Sequence, residues 1–61
     1  MLEYRVGSVI KYSVLGGIIR VLTVTEKKSD IKYGYPGFSG DMADGQIVWG
    51  YDNQIIEVIS F

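Results

Sequence analysis

Apolar and polar residues alternate with a period of two along much of this chain. Residues 8–14 read Ser-Val-Ile-Lys-Tyr-Ser-Val, so that Ile10, Tyr12 and Val14 share one side and Lys11 and Ser13 the other. That is the pattern of a half-buried strand. Leu15-Gly16-Gly17 follows as a tight reversal, because paired glycines supply the positive φ angles that hairpin turns need. Residues 18–26, Ile-Ile-Arg-Val-Leu-Thr-Val-Thr-Glu, form a second, longer strand with apolar side chains on both faces. Such a strand either bends between two small sheets or covers its outer face with a neighbour.

The alternation stops over residues 27–37, a polar interval bearing Gly and Pro that is expected to be a long loop. Within it Tyr35-Pro36-Gly37 has the composition of a type II turn. A short third strand is predicted over 38–42, weakened by Gly40, and Ala43-Asp44-Gly45 reads as a hairpin turn. Residues 46–50 make a fourth strand, with Ile47 and Trp49 on one face and Gln46 and Val48 on the other. Tyr51-Asp52-Asn53-Gln54 reads as one 3₁₀ or tight turn, since Asp and Asn side chains bond nearby backbone N–H groups. Residues 55–60 form the last strand. Eight glycines spread through runs of Val, Ile, Thr and Tyr leave little room for helix.

Strand, hairpin, long strand, long loop, two short strands, one helical turn and a final strand make an all-β order that resembles the small five-stranded SH3-like barrel. More narrowly, Asp30-Ile31-Lys32-Tyr33-Gly34-Tyr35-Pro36-Gly37-Phe38 with Trp49-Gly50-Tyr51-Asp52-Asn53-Gln54-Ile55 resembles a signature of small bacterial and phage proteins of that type. The resemblance implies the barrel fold and carries no catalytic residue with it. Gln46-Ile47 also invites comparison with the Gln-Ile-Tyr stretch of type II dihydrofolate reductases, SH3-like barrels active as tetramers. Here Val48 stands third, and the register toward the last strand differs.

Composition narrows the function classes. A chain of 61 residues has room for one domain and buries only about 60% of the surface its unfolded form exposes. With no Cys and no His, disulfides, thiol nucleophiles and zinc clusters drop out, and stability must come from apolar packing or from subunits. A net charge of −1 provides no footprint for a phosphate backbone, which disfavours nucleic acid as a partner. The longest apolar runs fall far short of the ~20 residues that span a bilayer. The N-terminus lacks a signal-peptide core, so no membrane is expected and the cytoplasm is the expected compartment.

The candidate binding site is aromatic. Tyr33 and Tyr35 sit in the expected loop and Trp49 and Tyr51 before the helical turn, two segments that flank one groove in an SH3-like barrel; Asp30 and Lys32 are charged neighbours. Aromatic grooves accept an extended or Pro-rich peptide at low entropic cost. The competing reading makes Phe38 and Trp49 core, with Tyr33 and Tyr35 covering the loop and the charges ordinary surface. Asp41 and Asp44 are too few for a calcium loop. Non-enzymatic binding to a protein or peptide, without cofactor or metal, is therefore expected. The alternatives are nucleic-acid binding through a cluster of Arg5, Lys11, Arg20, Lys27, Lys28 and Lys32 with Tyr33, and an oligomeric enzyme with an intersubunit site. Apolar residues on both faces of strands 18–26 and 55–60 also predict a homo-oligomer, with Ile19, Val21, Ile55 and Ile59 at its interface.

Overall fold

Five strands build one antiparallel sheet in the computed structural model, which describes residues 2–61. They are β1 (Val9–Val14), β2 (Ile18–Lys32), β3 (Tyr35–Asp41), β4 (Ile47–Tyr51) and β5 (Ile55–Ser60), with a 3₁₀ turn at Asp52–Gln54 before β5. The strand order is β4-β3-β2-β1-β5. The sheet is open, with β4 and β5 at its edges. Strand β2 serves two partners: Ile18 to Thr23 pair with β1, and Thr23 onward pairs with β3, with a register shift between Val24 and Glu26. An extra residue in a ladder bends the strand that carries it. The bend does not cover the outer face of β2: Leu22 and Val24 are buried, while Ile19 and Val21 stay exposed.

The expected long loop over 27–37 is instead a hairpin. β2 continues through Lys32 and β3 starts at Tyr35, leaving only Tyr33 and Gly34 between them. The arm from Thr25 to Asp30 is exposed throughout, and a strand with no buried face leaves no alternation to read. The expected type II turn at Tyr35-Pro36-Gly37 is likewise part of β3. Pro36 has no partner in either ladder, because β2–β3 pairing passes from Lys28–Gly37 to Lys32–Tyr35 and β3–β4 pairing begins at Gly37–Tyr51. Its missing N–H leaves no gap there.

Strand β5 departs from a period of two. Tyr12 faces Ile55, Ile10 faces Val58, and register shifts on either side leave Ile56 and Ile59 as extra residues. Burial accordingly runs with a period of three: Ile55 and Val58 pack partly against the core, and the two residues after each are exposed. Ile55 is thus removed from the expected outward interface.

The core is Ile10, Tyr12, Leu22, Val24, Phe38 and Val48, joined by Tyr4 from the segment before β1. At its centre the Phe38 ring meets Tyr12 and Tyr4 edge to face, at centroid separations of 5.0 and 5.9 Å. Such pairs contribute about 0.5–1.5 kcal/mol beyond their buried area. Opposite Phe38 in the β3–β4 ladder stands Gly50. A Cβ there would lie 2.8 Å from the Tyr12 ring and 2.9 Å from Phe38 Cζ, so only glycine lets the two rings reach the backbone.

Two buried phenols need acceptors. Tyr12 Oη donates to the Trp49 carbonyl at 3.2 Å, tying β1 to β4 across the core. Tyr4 Oη donates to Asp52 Oδ1, with the Gly37 carbonyl a second acceptor at 3.2 Å. Lys27 Nζ donates to the Tyr4 carbonyl at 2.8 Å and lies over the Tyr4 ring. Burial, the hydrogen bond to Asp52 and the charge of that carboxylate all push the Tyr4 phenol well above its ordinary value of 10.0.

A raised phenol keeps its proton in the native state after the unfolded chain has lost it, so unfolding becomes easier as pH rises. The Tyr4 contribution is complete below pH 10.0 and declines above it. Melting curves of the native chain should therefore steepen in their fall with pH above about 10, and those of Tyr4→Phe should lack that component. At neutral pH the same substitution should cost about 1–3 kcal/mol, because buried Asp52 loses its donor. Parallel dependence of melting temperature on pH in the two chains would contradict this account.

Candidate functional site

The β2–β3 hairpin closes on two residues, Tyr33 with φ 55° and Gly34 with φ 79°. Positive φ at both central positions is the requirement of a type I′ turn, which matches the twist of paired strands. Asp30 Oδ1 accepts the Gly34 N–H at 2.9 Å and fastens the tip. Asn-Gly is the favoured pair for such a turn, whereas a bulky residue at positive φ is strained. Tyr33 nonetheless occupies this position with 80% of its surface exposed. Core packing does not compensate that strain.

Strand β4 places Val48 and Gly50 toward the core and Ile47, Trp49 and Tyr51 away from it, with Trp49 44% exposed. Tyr51 stands opposite Gly37, one residue beyond Pro36. The Tyr51 ring meets Tyr35 at 5.9 Å between centroids and 80° between planes. On its other side Tyr51 meets Trp49, at 5.4 Å and 82°. Lys32 Nζ then lies 5.4 Å from the centroids of both Trp49 and Tyr33. The surface is a continuous chain of contacts: Tyr35, Tyr51, Trp49, Lys32, Tyr33.

A groove lies on each side of the Tyr51 ring. One is lined by Tyr35, Tyr51 and Asn53, with Pro36 and Asp52 extending it. The other, about 410 Å³, is lined by Val14, Ile18, Arg20, Trp49, Tyr51 and Gln54 among its residues. The 3₁₀ turn sets the floor between them: Gln54 Oε1 accepts the Tyr51 N–H at 2.9 Å, and Asp52 is drawn inward to Tyr4. Asn53, between them, is left exposed.

Of the residues expected at the site, Tyr33, Tyr35, Trp49, Tyr51 and Lys32 come together. Asp30 has a role in the turn. The competing reading holds for Phe38, which is fully buried, and fails for Trp49. Ile19, Val21 and Ile59 are about half exposed on strands β2 and β5. Sequence reasoning missed Asn53 and Gln54, and placed Arg20 among the basic residues of a nucleic-acid surface and not beside the aromatic rings. Arg20 carried a usable signal: it stands between Ile18 and Leu22 on the side of β2 that pairs with Tyr12 and Ile10, a cation where the period calls for an apolar residue. No protein-family model, curated protein or solved structure matches the chain.

The strain at Tyr33 gives a test that separates folding from function. Tyr33→Asn should stabilise the fold by up to about 1 kcal/mol, because Asn adopts positive φ more readily. Thermal unfolding reads this directly. Unchanged or lower stability would mean that Tyr33 belongs to the fold and not to a surface.

Proposed function

We propose that the chain is a non-enzymatic binding module of the SH3-like barrel type that takes an extended, proline-containing peptide across the Tyr35–Tyr51–Trp49 ridge. The meander of neighbouring hairpins, the return of β5 beside β1 and the 3₁₀ turn before it support the barrel reading. The Tyr12 bond to Trp49, which draws β1 toward β4, supports it further. The observation that carries the function is the run of exposed aromatic rings in consecutive edge-to-face contact, with a groove on either side. Rings held apart in this way form slots for a polyproline II segment, whose three-residue turn is already formed in solution.

The basic residues argue against a nucleic-acid surface. Lys11 pairs with Glu57, Lys28 with Glu26, Lys27 with Tyr4 and Arg5 with Phe61, which leaves, among the described residues, only Arg20 and Lys32 to meet a phosphate backbone, too few for a basic stripe.

Titration with a proline-rich peptide should quench or shift Trp49 fluorescence and move the amide resonances of Tyr33, Tyr35, Trp49, Tyr51 and Asn53. Trp49→Ala or Tyr51→Ala should weaken binding about tenfold or more, the usual scale for a central aromatic anchor. Resonance shifts confined to β5 and the start of β2 would place the surface elsewhere.

A second reading, self-association, rests on the outward residues of β2, β1 and β5. Ile19 and Val21 form one apolar row and Ile56 and Ile59 another, with Lys11 and its partner Glu57 between them. A copy turned through a two-fold axis offers the same rows with the charges interchanged. Light scattering at high micromolar concentration should give twice the 6.8 kDa chain mass, and Ile19→Lys should return it to one chain. A single-chain mass for the native protein at that concentration removes this reading.

A further inference from the structure

The charges beside the aromatic ridge define the polarity of its ligand. Four of the six basic residues are engaged away from the ridge: Arg5 with the Phe61 carbonyl and ring, Lys11 with Glu57, Lys27 with the Tyr4 carbonyl and ring, and Lys28 with Glu26. The other two, Arg20 and Lys32, both adjoin Trp49. Lys32 Nζ stands over its ring, and Arg20 shares with it the groove that runs to Gln54. Among the described residues neither has a carboxylate within ion-pair distance.

Six of the seven acidic residues are placed by a partner or a groove, and the seventh, Glu3, is exposed in the segment before β1. Glu26 and Glu57 are in the ion pairs already described, Asp44 accepts the Gln46 N–H, and Asp41 lies in a separate groove with Val9 and Thr23. Asp30 is fastened to the Gly34 N–H at the hairpin tip. Asp52 touches the groove on the Tyr35 side, but its carboxylate accepts the buried Tyr4 hydroxyl. The Trp49 end of the ridge is therefore cationic and the Asn53 end polar, on a chain whose net charge is −1.

We infer that the peptide taken by this ridge is acidic, with a Glu or Asp side chain over the Trp49 end between Arg20 and Lys32 and its apolar or proline residues in the slots beside Tyr51. This rests on the ridge being the binding surface. Arg20 supplies a planar fork that matches a carboxylate, and Lys32 adds a point charge held by two aromatic faces. A basic peptide would bring like charge against both and lose affinity.

Three peptides with the same proline-alternating core and Glu, Gln or Lys at the flanking positions decide the matter, followed by Trp49 fluorescence with the full chain. The Glu peptide should bind about tenfold tighter than the Gln peptide at low salt, and the advantage should shrink at high salt. Arg20→Gln and Lys32→Gln should each bring the ratio of Glu-peptide to Gln-peptide affinity toward one, whatever either change does to the Gln-peptide affinity itself. Equal affinities, or preference for the Lys peptide, overturn the polarity and leave the ridge standing. No binding by any of the three removes the ridge itself as a peptide site. Tighter binding of a single-stranded oligonucleotide than of the Glu peptide assigns the two cations to phosphates and overturns the inference.

Discussion

The fold depends on burying two tyrosines whose hydroxyl groups must find acceptors. Tyr4 and Tyr12 enclose Phe38 and supply much of the small core. A buried hydroxyl without a partner costs about 1–3 kcal/mol, a large fraction of the stability of a domain this small. The acceptors are the Trp49 carbonyl on β4 and the Asp52 carboxylate in the 3₁₀ turn. The core thereby fixes the backbone on either side of Tyr51. Gly50, between Trp49 and Tyr51, is where the Tyr12 and Phe38 rings press against the chain. The exposed ridge is the outer face of the segment whose inner face closes the core.

An open sheet exposes two edges, and unpaired edge strands invite further pairing. Strand β5 meets this with two register shifts in six residues, which leave Ile56 and Ile59 outside the ladder and disturb the regular row of N–H and C=O groups. The same shifts let a strand with four apolar residues commit only two of them to the core. Strand β4 is short, at five residues, and leads directly into the 3₁₀ turn. At the β4 edge, the end of the strand and the placing of Tyr51 and Asn53 thus come from the same short turn.

The all-β class and the turns at Gly16-Gly17 and Asp44-Gly45 were legible because each strand there has one buried face or a turn of distinctive composition. The last strand was legible in extent but not in facing. Its burial follows a period of three, set by bulges that arise from pairing with β1 and leave no mark in a window of β5 alone. The 27–37 hairpin was illegible for a complementary reason. Thr25 to Asp30 bury neither face, and the turn that closes the hairpin has Tyr where Asn would announce it. The aromatic grouping was visible as a grouping. That Phe38 goes inward and Trp49 outward was decided by register, since Phe38 faces Gly50 across the ladder while Trp49 faces Ser39.

A domain near the lower size limit gains from every apolar side chain it buries, yet this one leaves Tyr33 at 80% exposure, Tyr35 at 59% and Trp49 at 44%. Tyr33 does so in a backbone conformation that disfavours a bulky side chain, at the position of the turn where Asn is the usual choice. Strain without a packing return collects at surfaces that act on something else. The contacts among Tyr35, Tyr51 and Trp49 limit how far these rings can turn, so less rotamer freedom would be lost if the proposed peptide settled between them. Pre-organisation of this kind is available to the ridge because its backbone is already held by the hydroxyl bonds of the core.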